Sequence, residues 1–571
     1  MPHDLVIRGG HVADGLGADP IEADVAVDRG TIVGVGAVPE RGREEVDAAG
    51  QLVTPGFVDI HTHYDGQATW DARLAPSSWH GVTTVVMGNC GVGFAPVRPD
   101  AHDRLISLME GVEDIPGSVL HEGIDWTWES FGGYLDALET KPHDIDFCAQ
   151  LPHGALRLYV MGERAARLEE ATEEDAVTMR CLATEALRAG AIGFTTSRTL
   201  NHRTSTGDPT PSLKASSAEL EAIAQGVADA GHGVIELISD FHPDPESEFA
   251  MIRSLVERTG CPLSLSLAQS HQRPEAWRDL LGKIQQAAAD GLPIKGQVAP
   301  RPIGLMFGLQ GSVNPFVMYP AYREVAGKPL DEQVRALRDP TFRARLLEEA
   351  PPVKKGRPTS DWSRMYPLGR VPDYEPPPET SVQAMADARG VSPEELALDL
   401  LTANGGRDFL FVPFTNYADG DLEACREMLT HPDTVFGLGD GGAHVGIIAD
   451  ASFPTWFVSH WARDRKQGRL PVGWVVEQLT SRTAHAVGLR DRGVVAEGMK
   501  ADLNVIDFDH LACESPAMAY DLPAGGKRLL QRARGYRATI VSGEVTYRDG
   551  EPTGALPGRL VRGGSAQRVA A

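Results

Sequence analysis

Apolar and polar positions alternate in two different rhythms along this chain. Near its start, Leu5, Val6 and Ile7 lie between polar and glycine residues. A second run over residues 23–35 carries a turn at Asp28-Arg29-Gly30. They read as strands, with a hairpin at that turn. Residues 501–507 and 538–545 have the same texture. Neither end supplies enough apolar surface for a core of its own, so a small β-sandwich domain built jointly from residues 1–54 and 491–571 is predicted.

Between these ends the pattern becomes strand, loop, helix, repeated. Eight short strand-like runs occur at 52–60, 81–90, 146–151, 191–198, 233–240, 262–269, 293–298 and 434–440. Helical stretches separate several of them. Ser216 and Glu219 form a capping-box pattern ahead of Leu220, Ile223 and Val227, and Ser392-Pro393-Glu394-Glu395 opens another helix. Residues 246–258 and 275–290 are amphipathic. Eight strands alternating with helices predict an α/β fold, a closed (β/α)8 TIM-like barrel over residues 55–490, with an open doubly wound sheet as the alternative. Residues 301–378, rich in Pro and Arg, read as an insertion near the barrel mouth.

Composition narrows the functional classes. The chain has 571 residues, 42% hydrophobic and 23% charged, as expected of a globular protein, and a net charge of −25 that disfavours nucleic acid as a partner. No apolar run reaches membrane-spanning length, and residues 1–8 lack a basic stretch followed by an apolar one, so a cytoplasmic protein with no membrane partner is expected. Six cysteines without paired spacing argue against a disulfide framework. The oligomeric state stays open, a homo-oligomer included.

Chemistry enters at His61-Thr62-His63, which closes the first apolar run. Side chains two apart on a strand share a face, so both imidazoles project together. A closed barrel makes strands eight, one and two neighbours and gathers catalytic groups at their C-terminal ends. Asp440, His61, His63 and Cys90 would then converge, a donor set that suits zinc. The glycines around Asp440 let the backbone turn tightly about its carboxylate. The plainer alternatives are a turn aspartate at Asp440 and a small buried residue at Cys90.

The stretches Gly56-Phe57-Val58-Asp59-Ile60-His61-Thr62-His63-Tyr64-Asp65, Gly88-Asn89-Cys90-Gly91, Glu110-Gly111-Val112-Glu113-Asp114-Ile115-Pro116 and Gly439-Asp440-Gly441 resemble the amidohydrolase superfamily, in particular its D-aminoacylase branch. The resemblance covers nearly the whole chain. It implies a metal-dependent barrel hydrolase acting on an amide or other C–N bond. Most directly it implies N-acyl-D-amino-acid deacylation by metal-bound hydroxide, with Asp440 as proton shuttle. A carboxylate-bearing substrate calls for a cation, and Arg198 and Arg301 follow strands four and seven at suitable places. His444 and His153 are candidates for substrate or oxyanion contact.

One departure from that branch is visible. The pattern has a histidine closing each of strands five and six. Here strand five ends Glu236-Leu237-Ile238-Ser239-Asp240, and on strand six His271 is the candidate match. One zinc ion rather than two is therefore expected, held by His61, His63 and Asp440 with Cys90 and His271 as further candidates. Two alternatives remain: a cyclic amide hydrolase or deaminase on the same metal, and an inactive scaffold or binding barrel.

Overall fold

The computed structural model describes residues 2–349 and 358–564. Strands from both ends share one nine-stranded sheet. Its order runs Glu551–Pro552, Glu544–Arg548, Tyr536–Val541, Leu503–Ile506, Leu52–Pro55, His3–Val12, Ile21–Asp28 and Thr31–Gly36, with Gly42–Asp47 also paired to His3–Val12. The hairpin at residues 28–31 forms as predicted. Arg29 and Gly30 both take positive φ, 51° and 74°, which gives the tight two-residue turn that matches strand twist. Leu5, Ile7, Val25, Val27, Leu503, Val505 and Ile540 pack together as a separate core. The apolar positions of the two ends are thus buried against each other.

The strands between are parallel, and all eight predicted runs contribute. One sheet orders Thr434–Phe436, Ile294–Val298, Leu263–Ser266, Val234–Ser239, Gly193–Arg198 and Leu151–Pro152. The other orders Phe57–Asp59, Val82–Met87 and Asp146–Ala149. The third predicted strand belongs to both sheets, broken at Gln150, whose N–H donates to Met87 O at 3.0 Å while Ala149 O accepts from Ile192 N at 3.0 Å. Main-chain bonds also join the ends of the first and eighth runs: Asp440 N to His61 O at 3.0 Å and His63 N to Gly441 O at 2.7 Å.

The first predicted strand differs from expectation. Leu52–Pro55 pairs in the terminal sheet, and only Phe57–Asp59 joins Val82–Met87. The crossover falls at Gly56, where a Cβ would stand 2.7 Å from Thr83 Cβ and collide with the rest of that side chain. Only glycine lets the chain pass there.

The helices begin largely where the capping signals lie. Ser392 and Glu395 form the reciprocal box before Pro393–Ala403. Ser216 caps Ser217–Ala230, but the Glu219 carboxylate turns inward to His153 and Arg157 instead of back to the cap. The excursion after strand seven reaches beyond residue 378. Gly304–Phe307 pairs antiparallel with Leu410–Pro413, and Phe316, Tyr322, Leu337, Trp362, Leu398 and Val412 form its own core. No helix among the described residues is long and apolar enough to cross a membrane.

Candidate metal centre

The chain stays extended past Asp59, because Thr62 N donates to Val86 O on one side and His63 N to Gly441 O on the other. His61 and His63 are fixed side by side, ring centroids 5.6 Å apart. Cys90 follows strand two in a short turn with φ 55° and ψ 17°. Ligand-type atoms of His61, His63 and Cys90 all lie within 4.8 Å of one another, and all three residues are buried. Cys90 Sγ is 3.4 Å from His61 Nε2.

Asp440 completes the approach from strand eight. Its Oδ1 lies 3.4 Å from His61 Nε2 and 3.6 Å from His63 Nε2. Asp440 has φ 46° and His444 φ 48°, so with Cys90 three residues of this patch hold left-handed backbone, a conformation that clusters at functional sites. Gly439 permits the approach, since a Cβ there would stand 2.6 Å from Asp59 Oδ2.

The surrounding groups orient these donors. The Nδ1 of His61 is 2.9 Å from Gln297 Oε1, whose amide nitrogen donates to Ser264 at 2.8 Å. A proton on Nδ1 leaves the Nε2 lone pair facing Cys90 and Asp440, the tautomer a metal ligand needs. Burial pushes the His63 imidazolium down to about 4, so the ring is neutral at pH 7. Burial alone would raise Asp440, but the neighbouring imidazoles of His63, His61 and His444 hold it well below the usual carboxylate range. Burial also pushes the Cys90 thiol up, aided by Glu236, Glu113 and Asp440.

Two acidic residues were missed as site members. Glu113, the last residue of the helix His102–Glu113, is 1% exposed and sets Oε1 3.4 Å from His63 Nδ1 and Oε2 3.5 Å from His444 Nε2. Glu236 lies in the middle of strand five and accepts the Cys90 N–H at 3.1 Å. Each has one buried oxygen with no hydrogen-bond partner, and the ring nitrogen Nδ1 of His63 is likewise buried without one. Orphaned polar atoms around two imidazoles, a thiol and a carboxylate fit a divalent cation, which would repay their desolvation.

The other predicted residues divide. His444 stands at the site, its side chain 31% exposed. His202, missed earlier, is held by Ser197 at 2.9 Å, and burial pushes it down to about 3, with His444 and His63 contributing. His271 does not join the His61, His63 and Cys90 group. Burial and Arg364 push it down to about 4, and the loop after strand six carries it toward Pro413 and the excursion. Arg198 is engaged by both oxygens of Glu248, at 2.5 and 3.0 Å, and by Ala215 O. Arg301 is fully buried, pairs with Asp450 at 3.0 Å and stacks over Tyr374 at 3.6 Å and Phe453 at 4.7 Å. His153 bonds Thr196 and Glu219 within the core. Periodicity placed these side chains near strand ends but could not reveal partners distant in sequence.

Known proteins share this arrangement of elements. D-aminoacylase of Alcaligenes xylosoxydans xylosoxydans is 27% identical over 567 residues, covering 98% of each chain. A D-aminoacylase structure described by its binuclear metal centre superposes with TM-score 0.66 at 24% identity, over 98% of this chain and 100% of the other. The N-acyl-D-glutamate deacylase of Bordetella bronchiseptica, solved with zinc and a phosphonate inhibitor, gives 0.65 at 21% identity, covering 98% of this chain and 100% of that one. The amidohydrolase family model matches residues 44–547, and the chain belongs to that family.

Proposed function

We propose that this protein is a zinc-dependent amide hydrolase that removes the acyl group from N-acyl-D-amino acids, working with one ion. The observation that carries the reading is the buried triangle of His61, His63 and Cys90, faced by Asp440 from the adjoining strand end. In this reading residues 55–490 are a closed (β/α)8 barrel with the excursion inserted, and residues 1–54 and 491–571 a composite β-domain. The bonds between the first and eighth runs support that closure. The relatives named above are deacylases of acylated D-amino acids, and one was solved with zinc.

His61, His63, Cys90 and Asp440 would hold the ion, which when bound supplies Lewis-acid polarisation of the amide and a more acidic water. The Asp440 carboxylate is ionised at neutral pH and 14% exposed, the most accessible of the four, so its free oxygen accepts a proton and returns it to the leaving nitrogen. His444, at the mouth beside Glu113, donates toward the acyl oxygen. Burial keeps His63 neutral, the form in which its ring can serve as a ligand beside Asp440.

The direct experiment is metal analysis of the purified chain together with release of D-amino acid from N-acetyl substrates. Asp440→Asn should retain the fold and lose activity by a factor of about 100 or more, as for removal of a proton shuttle. Full activity in that variant ends the proposal. The engagement of Arg198 by Glu248 and of Arg301 by Asp450 favours a second reading, in which the same centre opens a neutral cyclic amide. Comparing cyclic amides with acyl-amino acids separates the two.

A further inference from the structure

Strand five carries a carboxylate where an apolar side chain would be expected. Glu236 sits between Ile235 and Leu237 within Val234–Ser239 and is 1% exposed. Its Oε2 accepts the Cys90 N–H at 3.1 Å. Its Oε1 is buried and has no hydrogen-bond partner, and among the described residues no lysine or arginine pairs with it. A buried carboxylate with an idle oxygen, bonded to the main chain of the candidate ligand Cys90, is costly unless a cation shares it. A purely structural anchor for the Cys90 turn needs only a neutral acceptor, which glutamine or a serine hydroxyl supplies at lower cost.

We infer that Glu236 is itself a ligand of the cation, Oε1 supplying an anionic oxygen from strand five. The inference rests on the metal reading above and deepens it. With Asp440 it makes the donor set richer in oxygen than two imidazoles and a thiolate alone. Such a set tolerates harder ions, Mn2+ and Co2+ among them, beside zinc.

The test is Glu236→Gln in the full-length chain. Glutamine keeps the volume and an acceptor for the Cys90 N–H but offers no anionic oxygen. Three quantities are read: zinc affinity by chelator competition, the visible spectrum of the Co2+-loaded protein, and the melting temperature of the metal-free chain. The expected result is an affinity loss of about 10-fold or more. It comes with altered cobalt d–d band intensity and an unchanged or higher metal-free melting temperature, because glutamine keeps an acceptor for the Cys90 N–H without burying an acid. Unchanged affinity and spectrum, with a lower metal-free melting temperature, identify a structural anchor and overturn the inference. Glu236→Asp is the second variant: it keeps the charge but withdraws the oxygen, so affinity should fall as well, and an unaltered affinity again overturns it. A wild-type chain that binds neither zinc nor cobalt overturns the metal reading first, an outcome distinct from failure of Glu236 alone.

Discussion

Glu113 Oε1 stands 3.4 Å from His63 Nδ1, and the other oxygen of the same carboxylate stands 3.5 Å from His444 Nε2. One buried acid thus bridges a candidate ligand and a residue at the mouth. The helix His102–Glu113 delivers it, with the main chain anchored because Glu113 O accepts the His444 N–H. A carboxylate behind an imidazole fixes the ring and raises its donor strength. Glu113→Gln should therefore weaken zinc binding by about 10- to 100-fold. Burial pushes the Glu113 carboxyl well up, with Asp440, Asp65 and Glu236 adding to the effect, so the metal-free variant should be no less stable than the parent. Chelator competition and melting curves of both metal states check the pair of expectations.

Arg301 was expected to meet a substrate carboxylate and instead meets Asp450 in the interior. Arg301→Met should leave KM for any carboxylate substrate unchanged while lowering stability by about 3–5 kcal/mol, since Asp450 is left buried without its cation. Adding Asp450→Asn should recover part of the loss. Urea denaturation of the three variants, with KM measured alongside, decides between anchor and substrate contact.

Glu375 predicts a pH dependence. Burial opposes its ionisation, but hydrogen bonds from His460 and Arg465, at 2.7 and 2.9 Å, outweigh that and hold the carboxyl at about 2, below its ordinary value of 4.5. A carboxyl depressed in the folded state adds stability that is complete above its unfolded value. That stability fades as pH falls from about 5 toward 2. Screening at this half-buried site limits the contribution to about 1–2 kcal/mol. Denaturation midpoints of wild type and Glu375→Gln should differ at pH 7 and converge near pH 2.

Gly56→Ala tests the crossover between the two sheets. The new methyl would stand 2.7 Å from Thr83 Cβ, and the cost should be about 1–3 kcal/mol, as for other overpacked sites. Thr83→Ala in the same chain should return some of it. A single Gly56→Ala variant with wild-type stability would mean that the strand does not pass Thr83 so closely.

Much of the strand pattern and the core of the candidate site were legible because they rest on local rules. Period two puts His61 and His63 on one face, and glycines flank Asp440 where the backbone is tight. The two missed acids also left a trace. Glu113 lies seven residues after Ile106 and four after Met109, both buried, on the apolar face of its helix, and Glu236 interrupts an apolar strand. A charge at a core position points to a buried partner, a signal stronger than the histidine search that favoured His271. Arg198, Arg301 and His153 were placed correctly near strand ends, but Glu248, Asp450 and Glu219, which occupy them, come from elements that no local pattern connects to them.

Leu503–Ile506 pairs directly with Leu52–Pro55, the segment that leads through Gly56 into the histidine-bearing strand. The two halves of that pairing are separated by most of the polypeptide. During synthesis the histidine strand therefore emerges early, yet the sheet that seats its root is finished only when residues beyond 500 have left the ribosome. Contacts this distant in sequence slow folding and leave apolar edges uncovered for longer. Truncated chains lacking the last strands should accumulate as chaperone clients rather than as smaller working enzymes.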